Sequence, residues 1–376
     1  MHVHLVAGEI SGDTHAKGML QALQSRVGDL RVTGLAGPET RADFGAGVEN
    51  WVDRAAVVGL WEVLRQYGYF RQKMRQCVEQ ILAELPAAVI LVDYPGFNLR
   101  LAKALRSRGY AGRIINYISP QVWAWKKGRV KTMARTLDLV LCLFPFEVAF
   151  YQQSGLQAKC CGHPMLDRVL ELPAQTREVG LVGWFPGSRR HEVRRHLPLM
   201  LAAGRRLKAR EPLLRFVVVA AHQGIEPEIA QVMAEFGSHE SLPQMVSGSA
   251  QSWMQRVEVA AIASGTATLE AACLGLPFAL VYRVHPLTYW VAKWVVKLRW
   301  IGMANILVGR EVVRELVQDA FTAEALAAEV LALRGDETRR RDCLEGLAQA
   351  RGMLGDGDAY GRTAEAVLEC IASSPG

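Results

Sequence analysis

No stretch of this chain approaches the roughly 18 consecutive apolar residues that a bilayer-spanning helix needs, although half of its 376 residues are hydrophobic. A membrane-spanning helix is therefore not expected. The seven cysteines are scattered, only Cys160 and Cys161 are neighbours, and no C-x-x-C occurs. That spacing argues against a zinc site or a disulfide frame and for reduced thiols in a cytosol. The opening MHVHLVAGEISGD lacks a basic leader and meets a Gly/Asp loop too early for a signal peptide. A full G-x-G-x-x-G is missing, so a dinucleotide is not indicated. Internal repeats and low-complexity tracts are absent too. Charge is nearly balanced, with 44 Lys and Arg against 37 Asp and Glu, a net +7. That excess suits phosphate-bearing small molecules, an anionic membrane surface or nucleic acid, and does not choose among them.

What is present is a long alternation of buried strands and helices, enough chain for two or three domains. Ala87 to Val92 is an apolar run that stops at Asp93; Tyr94-Pro95-Gly96 breaks the strand, and a helix is read from Leu99. A carboxylate thus lies at the carboxyl end of a central strand, where open α/β sheets bind ligands. Further strands are expected at His2–Ala7, Arg31–Leu35, Arg113–Tyr117, Leu137–Leu143 and Ala158–Gly162. After a short linker, Leu172–Glu178, a second series is read at Val179–Phe185, Leu214–Ala220, Val257–Ala263 and Phe278–Tyr282. The fold class predicted is α/β: two Rossmann-like, doubly wound parallel-sheet domains facing a cleft. Residues 1–170 would form the first, completed by C-terminal helices at about 345–376, and residues 178–345 the second.

The loops after these strands carry the candidate chemistry. Glu9 ends the first strand, and Ser11, Gly12 and Asp13 either line a ligand loop or cap the helix that follows. In the second series, Gly187, Ser188 and Arg189 precede a helix whose free N–H groups and dipole would face an anion, with Arg189 able to hold a diphosphate. Ser264-Gly265-Thr266 is a second small-residue turn, and Glu270, one turn later, could accept from both hydroxyls of a ribose. A base in one domain and a diphosphate cradle in the other suit glycosyl transfer from a nucleotide sugar, with no metal or cofactor required. His163, a loop histidine near Pro164, reads as structural, and Asp356-Gly357-Asp358 as a helix cap. Three segments interleave aromatics with cations: Val57–Phe70, Trp123–Lys127 and Tyr289–Ile301. The first and third read as core helices or as contacts with lipid. The Trp123–Lys127 loop is one loop and not a nucleic-acid stacking platform; its place after a strand suits the rim of a small-ligand site.

GEISGD (8–13), VGLWEVL (58–64), VDYPGFN (92–98), YISPQVWAWKKGR (117–129), FPFE (144–147), GHPMLD (162–167), PGSRRHEV (186–193), SGTATLEA (264–271) and NILVGREVVRELVQ (305–318) occur in order. Together they resemble the lipid-A-disaccharide synthase family, inverting transferases of the glycosyltransferase B architecture. The resemblance implies transfer of 2,3-diacylglucosamine from UDP-2,3-diacylglucosamine to 2,3-diacylglucosamine 1-phosphate (lipid X). The products would be a β(1→6) tetraacyl disaccharide 1-phosphate and UDP. It implies that Asp93 is the base, assisted by Glu9, that Arg189 and Asn305 contact the nucleotide, and that Asn98 and Gln121 belong to the acceptor side. Val58, Leu60, Trp61, Val63 and Leu64 would meet acyl chains at an anionic inner-membrane surface, making the protein peripheral on its cytoplasmic face. A homodimer with exchanged C-terminal segments is left open. The alternatives are another UDP-N-acetylglucosamine-type transferase or 2-epimerase, and a non-catalytic nucleotide-sugar-binding membrane protein. Three departures from the family pattern are Gly96, where many relatives carry an acidic residue, Met303-Ala304, where Leu-Pro is usual, and an unusually short linker before Val179.

Overall fold

A computed structural model describes residues 1–55, 67–120, 122, 128–237, 243–285, 289 and 299–373. The chain forms two compact units, one of residues 1–164 with 354–376 and one of residues 165–353. Among the described residues, no helix is long and apolar enough to cross a membrane.

The first unit is built on a seven-stranded parallel sheet. Its strands are β1 (His2–Ala7), β2 (Arg31–Ala36), β3 (Val48–Asn50), β4 (Ala88–Val92), β5 (Arg113–Tyr117), β6 (Leu139–Cys142) and β7 (Ala158–Cys160), in the order β3-β2-β1-β4-β5-β6-β7. The central strands are Val/Ile/Leu runs because helices cover both faces and leave no polar side; all five residues of β4 are buried. The helix Ala359–Ala372 completes this unit by packing on Ile10–Val27. Gly18 makes that approach close, since a Cβ there would lie 2.6 Å from the Tyr360 ring.

The chain rejoins the first unit at Leu354, not at about 345. The helix Glu337–Gly352 stays in the second unit because Cys343, Leu347 and Ala350 are buried in its core, and Gly346 sits tightly on Val312. A second correction concerns the segment after β4: its helix runs Pro95–Ser107, starting four residues before Leu99. Proline at a first helical position costs nothing, since its missing N–H would be unpaired there anyway.

The second unit holds β8 (Glu178–Phe185), β9 (Arg215–Val219), β10 (Gln244–Val246), β11 (Val257–Ala263), β12 (Phe278–Tyr282) and β13 (Glu315–Val317), all parallel, in the order β10-β9-β8-β11-β12-β13. Arg177 fastens the incoming chain to this sheet. Its guanidinium donates to the carbonyls of Met254, Val257 and Leu274 at 2.8–3.0 Å.

In each sheet the winding direction reverses between two neighbouring strands, β1 and β4 in the first and β8 and β11 in the second. Ala7 lies opposite Val92, and Phe185 opposite Ile262. The loops that follow these four residues therefore diverge at a switch point, the usual place for a ligand in such sheets. Sheet packing nearby tolerates little change. Gly34 has φ +125°, and a Cβ there would sit 2.0 Å from the Leu5 carbonyl oxygen. Gly34→Ala is expected to cost at least about 2 kcal/mol, read as a lower urea midpoint at unchanged slope.

Candidate active site

At the first switch point, β4 delivers Asp93, and the chain turns there through two left-handed residues, Asp93 (φ +45°) and Tyr94 (φ +46°). Non-glycine residues rarely adopt this conformation, so surrounding bonds must hold it. The Asp93 N–H donates to the Tyr117 carbonyl at 2.9 Å. Asn98, fully buried, donates from Nδ2 to the carbonyls of Asp93 (2.7 Å) and Val92 (3.2 Å). The Tyr94 hydroxyl donates to the Ala55 carbonyl (2.9 Å), and its ring packs edge-on to Trp51, whose indole N–H donates to the Ala7 carbonyl at 2.6 Å. Gly8 is required beside it, since a Cβ would lie 2.4 Å from the Tyr94 ring. The result is a half-buried carboxylate whose pKa is pushed up from 3.8 to about 6, first by burial and then by the nearby Glu9 carboxylate. Glu9 itself is exposed at the start of the helix Ile10–Val27.

At the second switch point, a cavity of about 330 Å³ lies between the loop after β8 and the loop after β11, lined by Gly187, Ser188, Arg189, Ser264, Gly265 and Thr266 among others. Glu192 shapes the first loop. Buried, it accepts from the N–H groups of Ser188 (3.1 Å) and Arg189 (3.2 Å) and from the Arg189 guanidinium (3.1 Å). A Cβ on Gly187 (φ +117°) would collide with this carboxylate. One turn further, His196 joins the strand ends. Its Nε2 accepts from the Arg283 N–H at 2.9 Å, which leaves Nδ1 to donate to the Pro186 carbonyl at 2.8 Å. Burial lowers its pKa, so the ring is the neutral Nδ1–H form. Glu270 is half-buried and accepts from Gln251 at 3.1 Å, and burial raises its pKa.

A family model described as lipid-A-disaccharide synthetase matches residues 3–350. The lipid-A-disaccharide synthase of Myxococcus xanthus is 38% identical over 378 residues, covering 98% of this chain and 97% of that protein. The chain belongs to the lipid-A-disaccharide synthase family. Two solved structures share its architecture at low identity, which bears on fold alone. A putative UDP-N-acetylglucosamine 2-epimerase from Listeria monocytogenes has TM-score 0.64 at 14% identity, covering 98% of this chain and 95% of that one. MurG from Acinetobacter baumannii has TM-score 0.57 at 13% identity, covering 98% and 99%. The fold is the two-Rossmann architecture of B-type glycosyltransferases, and this family is one of glycosyltransferases.

Within a lipid-A-disaccharide synthase fold, the candidate residues divide by what their polar atoms already do. Asp93 and Glu9 come together at one switch point, and Gly187, Ser188, Arg189, Ser264, Gly265 and Thr266 around one cavity. Three others are corrected to backbone supports. Asp13, buried, accepts from the N–H groups of Gly37 (2.8 Å), Glu39 (2.9 Å) and Thr40 (3.3 Å) and so caps the helix Pro38–Phe44. Ser11 and Gly12 lie in the first helix rather than in a loop. Asn98 holds the Asp93 turn as described. Asn305, fully buried, donates to the Val313 carbonyl and Glu315 and accepts from the N–H groups of Val312 and Val313, all at 2.7–3.0 Å. Its amide is saturated by these partners inside the second unit. His163 is buried against Phe144, and the Asp358 carboxylate caps the last helix at Gly361 N–H. Gln121, the 58–64 patch, Trp123–Lys127 and most of the Trp-rich 289–301 segment lie outside the described residues. Glu192 and His196 were missed as supports, although Glu three residues after a helix start is a recognisable capping signal.

Asn305→Ala should lower stability by about 2–4 kcal/mol in urea unfolding, by stranding two N–H groups and a carbonyl. Asp93 gives the opposite sign. Its folded pKa lies above the unfolded value, so its ionisation destabilises the fold fully above about pH 6 and not at all below about pH 4. Asp93→Asn should therefore raise the melting temperature at neutral pH, with the gain shrinking as pH falls through that window.

Proposed function

We propose that this chain transfers 2,3-diacylglucosamine from its UDP donor to 2,3-diacylglucosamine 1-phosphate, forming a β(1→6) tetraacyl disaccharide 1-phosphate and UDP. Asp93 takes the proton of the acceptor 6-hydroxyl while that oxygen attacks the donor's anomeric carbon. The bond from that carbon to the diphosphate oxygen breaks on the opposite face, so configuration inverts. The observation that carries the reading is the Asp93 carboxylate itself, raised to about 6 at a sheet switch point in a chain of this family. A base with that pKa is still ionised at neutral pH and is more basic than an ordinary carboxylate. Arg189 and the N–H groups that open the helix Arg190–Arg210 meet the charge growing on the departing diphosphate, and Glu270 takes the ribose hydroxyls. The 58–64 and Trp-rich segments rest on the cytoplasmic face of the inner membrane, where each Lys or Arg near the surface contributes about 1 kcal/mol.

The deciding experiment is UDP release in detergent micelles, with and without lipid X. Release that requires lipid X and yields a disaccharide supports the reading. Release without it points to a 2-epimerase-like or hydrolytic activity, and none at all to a binding protein. Asp93→Ala should abolish turnover with UDP affinity kept within a few-fold, whereas Arg189→Ala should weaken UDP binding by about 1.5–3 kcal/mol. The acid limb of kcat/KM should fall near pH 6. Glu9→Gln, by removing a like charge, should move that limb to lower pH.

A further inference from the structure

Beside Asp93, in the first unit, lies a cavity of about 470 Å³ that the assignments above leave unused. One wall is the helix Tyr67–Glu84, which presents Phe70, Arg71 and Met74 along one face; the other is Tyr94, Phe97 and Arg100 from the turn and helix that follow Asp93. The apolar part is fixed in place. Trp51 stands edge-on to Phe70, Tyr94 and Phe97 with ring centroids 6.2, 5.8 and 4.9 Å away. Gly96 keeps one side open, because a Cβ there would meet nothing within 4 Å. Arg71 and Arg100 are exposed at the cavity, and neither has a carboxylate partner among the described residues.

We propose that this cavity seats one acyl chain of the acceptor, while Arg71 and Arg100 pair with the acceptor's phosphate. The inference rests on the proposed reaction and adds to it the place of the acceptor. An uncharged lipid would leave two guanidinium groups unused, and a free phosphate would leave an apolar cavity unused. An amphiphile with an anionic head satisfies both. The cavity's volume falls within the range of about 300–1,000 Å³ typical of small-molecule sites. Gly96 is three residues from Asp93, a span of at most about 11 Å, so a sugar whose chain enters here stays within reach of the base. The donor, whose phosphates belong to the nucleotide site of the second unit, has less use for these arginines.

The test uses the full chain in mixed micelles with decanoyl, dodecanoyl and tetradecanoyl forms of 2,3-diacylglucosamine 1-phosphate. Acceptor KM should fall by up to about fourfold for each methylene that the cavity takes in. Gly96→Phe, which fills open space at a helix start, should raise acceptor KM and flatten that dependence, with UDP affinity unchanged. Met74→Trp, entering from the facing helix, should do the same. Replacing Arg71 and Arg100 together by Ala should raise KM for the phosphorylated acceptor about tenfold or more and leave that of its dephosphorylated form unchanged. An unaltered chain-length dependence in both filled variants overturns the proposal, as does an arginine effect on donor KM in place of acceptor KM. Photo-crosslinking separates the two readings: an acceptor with a diazirine at the end of one acyl chain is irradiated with the protein and no donor. Label in 67–84 or 94–107 supports the site even if no disaccharide is ever formed. Label elsewhere overturns it even where the transferase reaction is confirmed.

Discussion

Parallel strands wound outward from a shared centre must part at their carboxyl ends, and that parting is what the rest of each unit depends on. Between β1 and β4, and again between β8 and β11, the loops leave in opposite directions and no sheet residue fills the space between them. Backbone placed at such a gap has lost its ladder partners and must be held by other means. The first unit holds it with Asn98, Trp51 and the Tyr94 hydroxyl, which together fix two successive left-handed residues. The second holds it with Glu192 and His196, which tie the loop after β8 to its own helix and to the chain beyond β12. Both units use the same device, a buried polar side chain spent on backbone.

The two gaps present different groups. The proposed proton abstraction needs an anion with its affinity raised, and the first unit raises that of Asp93 by burial and by placing Glu9 near it. Both effects work against folding at neutral pH, so the ionised Asp93 is held at a cost in stability. The proposed leaving-group stabilisation needs donors fixed before charge develops, and the second unit has small residues and helix-opening N–H groups with Arg189 beside them.

Much of this was legible from the residues alone. Strands such as β1, β5, β11 and β12 are apolar runs of five to seven residues bounded by glycine, proline or charge, and they stand where the sequence puts them. The three-residue strands β3, β10 and β13 were not legible, because VEN, QMV and ELV have neither length nor alternation and exist as strands only by pairing with a neighbour. The site divides in the same way. Glycines and a strand-end carboxylate mark a ligand loop, and Asp93 could be placed from them. Asp13 and Asn305 sit in equally prominent motifs, yet their carboxylate and amide are consumed by N–H groups 7 to 27 residues away. Local sequence does not say which distant backbone a polar side chain will meet, so a motif residue reads as a ligand contact until its partners are known.

Net charge had a similar limit. A surplus of +7 says only that anions are welcome somewhere. Part of it is already engaged: Arg106 binds Asp138, Arg256 binds Glu178, Arg339 binds Glu329 and Arg334 binds Glu258. These pairs tie elements of one unit together, and their charge is unavailable to a ligand. Arg189 shares Glu192, but that carboxylate is already occupied by two backbone N–H groups, and the arginine side chain is 70% exposed. Arg71 and Arg100 have no such partner among the described residues. They stand beside the apolar cavity of the first unit, and Arg189 beside the polar cavity of the second. A cation on an open face attracts anions without holding them, whereas one beside a cavity attracts an anion to a place that it can enter.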